Sequence, residues 1–222
     1  MEDLSDLERE AQLRSFWRDN WLTLVGGVAI GLGAIAGWRY WQSHTRQQAE
    51  QAEAGYTGVV EALTANKRDD AATRAAALRE ANPSSPYADQ ADLALARAAV
   101  DRREYDEAVK RLRAVIDGSR DAELRQVART RLARVLIEQS KLDEALALLD
   151  PSAAGAFAPH FHDIRGDALA AKGDTADARR AYDAALAADP EQKSLDREYV
   201  TLKRDSLPQA AAATPATKGA TP

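Results

Sequence analysis

His160 and His162 are the pair best placed by type and spacing to do chemistry, because an alternating His-x-His can hold zinc when it lies on a strand. The segment around them has helical periodicity instead. Residues two apart on a helix point roughly 200° from each other and cannot share one ion. The third histidine, His44, stands alone beside an apolar run. There is no cysteine, which removes disulfides and thiolate metal sites together. No glycine-rich phosphate loop, nucleophile elbow or His-Glu-x-x-His occurs, and the carboxylates are interleaved with Arg and Lys as on a solvated helical face. The expectation is a protein that is not an enzyme, takes no metal or other cofactor, and works by binding.

The charge balance narrows what it binds. With 30 basic against 35 acidic residues and a net charge of −5, the chain lacks the basic surplus that neutralises a phosphate backbone, so nucleic acid is not an expected partner. Two arginines, Arg97 and Arg134, each follow a small residue (Ala96, Ala133) in matching helical settings. If those helices line a groove, Arg97 with Gln90 and Asp101, and Arg134 with Thr130 and Glu138, form a polar face suited to an extended segment or an acidic terminus. The competing reading is that each arginine pairs with the acid one turn along its own helix, Asp101 or Glu138.

These side chains need a repeating scaffold to align them. Ala71, Ala108, Ala145 and Ala178 recur at steps of 37, 37 and 33 residues, close to the roughly 34 of a tetratricopeptide unit. The last copy is the clearest, with Gly166, Leu169, the turn Lys172-Gly173-Asp174, Ala178, Tyr182, Ala185 and Pro190 at the intervals of that pattern. Two earlier copies share an Asp-Glu-Ala step at Asp106–Ala108 and Asp143–Ala145, while the first, from Tyr56 to Pro83, keeps only Ala71 and its closing proline. Asn82 to Pro86 and Asp150 to Pro159 interrupt the periodicity and read as connections between repeats. The fold class expected is all-α: one N-terminal transmembrane helix followed by a tetratricopeptide-like superhelix.

The transmembrane element is the uncharged run from Asn20 to Trp38, about the length that crosses a hydrocarbon core of roughly 30 Å. Its Leu, Ile and Val residues supply about −2 to −4 kcal/mol of insertion free energy, partly offset by glycines. Trp17 and Trp21 stand on one side and Trp38, Tyr40 and Trp41 on the other, where amphipathic rings settle at the two headgroup levels. A cleavable signal is the rival, since Ala34-Ile35-Ala36 fits a cleavage pattern, but the acidic leader lacks a positive n-region and the second aromatic group follows the cut. Arg9, Arg14 and Arg18 before the span against Arg39 and Arg46 after it favour an N-terminus on the cytoplasmic side. Leu4, Leu7, Ala11, Phe16 and Trp17 suggest a short surface helix ahead of it, and the acidic charge of the same segment suits a solvated tail equally. Gly27 with Gly31, and Gly33 with Gly37, are small-xxx-small pairs that would let another helix approach.

The stretch Gly37-Trp38-Arg39-Tyr40-Trp41-Gln42-Ser43-His44, behind an acidic leader and a glycine-rich span and ahead of these repeats, resembles the YfgM-type ancillary subunits of the bacterial Sec translocon. Leu132-Ala133-Arg134-Val135, Leu149-Asp150 and Ile164-Arg165-Gly166-Asp167-Ala168-Leu169 extend the likeness over roughly residues 4–205. The resemblance implies a cell inner-membrane protein with residues 1–20 as a cytoplasmic tail, 21–41 as the transmembrane helix and 42–205 as a periplasmic domain. Residues 206–222, rich in Ala, Thr and Pro, then form a disordered tail beyond the family pattern. It also implies association with the SecYEG translocon and a membrane-anchored chaperone of the PpiD type, help for proteins emerging from the channel, and a link to the Rcs envelope-stress response regulator through the cytoplasmic tail. A periplasmic scaffold for envelope assembly or stress signalling that never meets the translocon is the alternative, and a cytoplasmic-facing adaptor a third.

Overall fold

The computed structural model describes residues 2–191 and 193–208. Among them there are nine α-helices and no strand: α1 (Glu2–Thr64), α2 (Arg68–Ala81), α3 (Pro86–Asp101), α4 (Tyr105–Gly118), α5 (Ala122–Glu138), α6 (Leu142–Leu148), α7 (Ala158–Lys172), α8 (Thr175–Ala188) and α9 (Arg197–Asp205). Two short 3-10 turns, Pro151–Ala153 and Gly155–Phe157, lie between α6 and α7. The chain divides into two compact units, Met1–Gln51 and Ala52–Pro222.

In the first unit, α1 carries the one stretch among the described residues long and apolar enough to cross a membrane, beginning at Asn20. Its large side chains, from Trp21 through Trp41, are exposed, and none of that apolar window is buried within the protein. Left in water, this apolar surface would forfeit roughly 25 cal/mol per Å² that a bilayer recovers, so its length and composition suit a membrane span. No helix boundary marks residue 42, where the sequence expectation began the repeat domain; α1 continues unbroken to Thr64. The side chains of Leu4, Leu7, Ala11 and Phe16 and the tail beyond Pro208 lie outside the described residues.

The second unit begins with Ala52 and is built from helix pairs. The end of α1 pairs with α2, α3 with α4, α5 with α6, and α7 with α8, and the first helices also pack on one another, α3 on α5 and α5 on α7. Tyr56 on α1 and Tyr87 on α3 extend that row with ring centroids 6.1 Å apart. Four expected marker alanines, Ala71, Ala108, Ala145 and Ala178, sit in the first turn of each second helix at 0% exposure. The first copy, degenerate in sequence, is therefore a complete pair.

The turn inside each pair is the same object four times. Five residues before each alanine the backbone enters the left-handed region, at Asn66 (φ 58°), Arg103 (φ 60°), Ser140 (φ 58°) and Gly173 (φ 88°). The next N–H then reaches back to close the preceding helix: Lys67 to the Ala62 carbonyl at 2.8 Å, Glu104 to Ala99 at 2.9 Å, Lys141 to Leu136 at 2.8 Å and Asp174 to Leu169 at 2.9 Å. This Schellman arrangement satisfies carbonyls that the helix end leaves without partners. Only the last copy uses the glycine that favours such a backbone; the other three accept the steric cost of a Cβ, about 1 kcal/mol each.

Between pairs, side-chain caps start the next helix. Ser85 accepts the Tyr87 N–H with Pro86 at the first position of α3, and Asp121 accepts the N–H groups of Glu123 and Leu124 at 2.8 and 3.1 Å to begin α5. Helix α9 is not part of a pair. It lays Val200 against Tyr182 and Leu186 of α8 and closes the end of the core.

Candidate functional site

Equivalent positions on the first helices define one face of the repeat unit. Eleven residues before the marker alanines stand Val60, Arg97, Arg134 and Asp167, and the last three border a cleft of about 470 Å³. Its floor is apolar, made by Val100 of α3, Leu112 of α4 and Val135 and Ile137 of α5, while Arg97, Arg131, Arg134 and Glu138 surround it. The three arginines are exposed. Among the described residues none of them makes a hydrogen bond or an ion pair, so the pairing of Arg97 with Asp101 and of Arg134 with Glu138 along their own helices is not what the structure contains. Although Arg131 is exposed as a residue, partial desolvation of its guanidinium, and then the nearby charges of Arg97 and Arg134, hold it below its ordinary value.

The structure thus brings Arg97, Arg134 and Glu138 together and adds Arg131. The other three residues of the expected groove lie elsewhere. Gln90 is half-buried and Asp101 exposed at the last residue of α3, and neither lines the cleft. Thr130 is buried and its Oγ1 donates to the Val127 carbonyl at 2.8 Å. At about 100° per residue, 131 and 130 lie about 60° and 40° to opposite sides of Arg134, and it is the side of 131 and Glu138 that borders the cleft. Arg131 could have been found from that spacing, since cations three apart share a helix face.

The equivalent position in the last pair, Asp167, is already engaged. It accepts from Tyr182 Oη at 2.8 Å and from Lys203 Nζ of α9 at 2.6 Å, and the same ammonium contacts the buried Asp163. The ammonium also lies 5.2 Å from the ring centroids of both Tyr182 and Tyr199. Burial pushes the Asp163 carboxyl up, and burial followed by the Asp167 charge pushes the Tyr182 hydroxyl far up. For Lys203 burial acts downward, but the contacts to Asp163 and Asp167 outweigh it and the net direction is up. Sequence reasoning missed this cluster because Lys203 lies a whole repeat away from Asp167.

A second charged cluster ties the early repeats together. Arg79 of α2 donates to Asp89 at 2.9 Å and to Asp92 at 2.7 Å, and Arg111 of α4 reaches Asp92 at 3.0 Å while its Nε holds Glu107. Both aspartates are buried, so the arginines satisfy charges that would otherwise be costly to bury. This is a structural joint, with every charge matched.

His160 and His162 lie on α7, and burial lowers the pKa of each. Among the described residues no group of three His, Asp or Glu side chains could hold a metal ion. On α1, a Cβ at Gly27, Gly31, Gly33 or Gly37 would meet nothing within 4 Å. The two small-residue pairs are turned by roughly 120° from each other about the helix axis, so they make two separate faces rather than one.

Comparison with known proteins places the chain in a family. The family described as a tetratricopeptide repeat-like domain matches residues 14–209. A protein of Escherichia coli (strain K12) named ancillary SecYEG translocon subunit is 35% identical over 177 residues, 80% of this chain and 85% of that one. Its namesake in Neisseria gonorrhoeae is 31% identical over 206 residues, covering 90% and 98%, and that in Haemophilus influenzae is 28% identical over 198 residues, covering 88% and 94%. The matched span takes in both the apolar helix and every helix pair, and the chain belongs to the tetratricopeptide repeat-like family and is a relative of proteins named ancillary SecYEG translocon subunit.

Proposed function

We propose that this chain is a non-catalytic binding scaffold, anchored in the cell inner membrane by the apolar part of α1 and working beside the SecYEG translocon. The observation that carries the reading is the extent of the likeness: a relative named for that translocon matches over 90% of this chain and the family matches residues 14–209, so the likeness takes in anchor and repeats together. In this reading the N-terminus faces the cytoplasm and the helix pairs face the periplasm, in keeping with the arginines ahead of the span. The repeats hold proteins as they leave the channel and act with a membrane-anchored chaperone of the PpiD type. The N-terminal segment is the part available to a cytoplasmic regulator such as that of the Rcs response.

A pull-down of the full-length chain in mild detergent, after crosslinking in cells, tests the proposal. Recovery of SecYEG subunits and of a PpiD-type chaperone is expected. Recovery of envelope-assembly proteins with no channel subunit would replace the translocon by the alternative scaffold role. A reporter fused after Asp205 that is active only in the periplasm is the expected result for orientation, and cytoplasmic activity would invert it.

A further inference from the structure

Three guanidinium groups around an apolar floor, with no carboxylate bound to any of them among the described residues, form an incomplete site. Arg97 stands on α3 and Arg131 and Arg134 on α5, with Val100, Leu112, Val135 and Ile137 between them. Of the two acids that border the same cleft, Asp167 is taken by Tyr182 and Lys203, and Glu138 has no ion pair with any of the three. The cations therefore repel one another, which is the direction in which Arg97 and Arg134 act on Arg131, while the carboxylate that Arg134 feels, Asp163, is already held by Lys203. By contrast, Arg79 and Arg111 in the earlier pairs are matched by Asp89, Asp92 and Glu107.

We propose that this cleft receives a peptide segment of a partner protein in which Asp or Glu side chains flank an aliphatic residue. The aliphatic side chain enters the apolar floor and the flanking carboxylates pair with the guanidiniums, whose planar donor fork suits carboxylate oxygens. Charge number favours side chains over a chain end: a terminal carboxylate brings one negative charge to three cations, whereas an internal acidic pair brings two and leaves room for more. The cleft's size fits a few residues rather than a domain. This inference rests on the scaffold reading above and specifies what one surface of that scaffold binds.

The test uses the full-length chain in detergent and a fluorescein-labelled, C-terminally amidated peptide centred on Glu-Leu-Glu, with binding followed by anisotropy. A Gln-Leu-Gln peptide, amidated in one version and with a free C-terminal carboxylate in another, provides the comparison. The acidic amidated peptide is expected to bind at least tenfold more tightly than either Gln-Leu-Gln version, and to weaken with added salt. The triple variant Arg97→Gln, Arg131→Gln, Arg134→Gln is expected to lose at least tenfold of that affinity with unchanged helical circular dichroism, since these side chains hold nothing in the fold. Equal binding of acidic and neutral peptides, preference for the free terminus, or unchanged affinity in the folded triple variant would each overturn the assignment. Recovery of SecYEG by the wild-type chain is measured in parallel, so failure of the translocon reading and failure of the cleft are separate results.

Discussion

A Cβ placed on Gly166 would lie 2.4 Å from Cε1 of Tyr182, inside the van der Waals surface of a ring that is itself held by Asp167 and stacked under Lys203. The same two positions are buried in the middle pairs but filled by Ala96 with Leu112 and by Ala133 with Leu149, so a smaller residue on the first helix goes with a larger one on the second. Gly166→Ala is therefore expected to destabilise the chain by about 1–3 kcal/mol through overpacking, although Ala is the better helix former. Adding Tyr182→Leu should return part of that loss by recreating the alanine and leucine combination. Thermal melts of both single variants and the double variant check it, and a double variant no better than the sum of its singles would refute the size pairing.

Substituting glycine at the left-handed turns should stabilise, against the usual direction. Ser140→Gly and Arg103→Gly are each expected to raise stability by about 0.5–1 kcal/mol, because φ near 60° costs a Cβ-bearing residue more than the extra freedom of glycine costs the folded chain. Asn66→Gly should change little, since Asn tolerates that region. Chemical denaturation midpoints at constant slope are the measurement.

The α9 cap should fail in alkali. Tyr182 and Lys203 both hold their protons more tightly when folded than when unfolded, so their contribution is complete below the ordinary values near 10 and disappears as pH rises through the higher folded ones. Melting temperature is expected to fall steeply above about pH 10, and less steeply in Lys203→Met. That variant leaves Asp163 buried without a cation and should cost about 3 kcal/mol near neutrality.

An acid transition has a different origin. Asp189 accepts the N–H groups of Lys193, Ser194 and Leu195 at 2.8 to 3.0 Å, and these bonds hold its pKa down at about 2. A lowered carboxylate contributes stability above its unfolded value of 3.8 that is lost as pH falls toward the folded one. Protection of the amides of residues 193–195, taken relative to the exchange rate of an unfolded peptide at the same pH, should fall below about pH 4 in the wild type and be lost at every pH in Asp189→Ala.

Residues 45–208 should fold without the apolar helix, because the core begins at Ala52 and each pair buries its face on the next. Cooperative melting of the helical signal from this fragment is expected; a non-cooperative loss would show that the anchor is needed.

The repeat was legible in the sequence because small residues are the rate-limiting contacts of paired helices, and Ala71, Ala108, Ala145 and Ala178 all reach zero exposure. The turns were legible only at Gly173, since nothing about an arginine or a serine signals a left-handed backbone. Two of the cleft's arginines followed from the same periodicity. Arg131 did not, because its neighbour Thr130 looked equally placed until the helix rotation was known. The cap was illegible for a different reason: Lys203 joins Asp163 and Asp167 across a stretch of chain in which no local pattern connects them.

Helix α9 also bears on how such a chain can change length over generations. A duplicated helix pair spliced between α4 and α5 would meet surfaces of the same kind on both sides and inherit the same turn. A copy spliced after Ala188 would separate Lys203 from Asp163 and Asp167 and strand two acids in a new joint. Growth by duplication is thus open at the interior and closed at the C-terminal end, and divergence in repeat number among relatives should be confined upstream of α7.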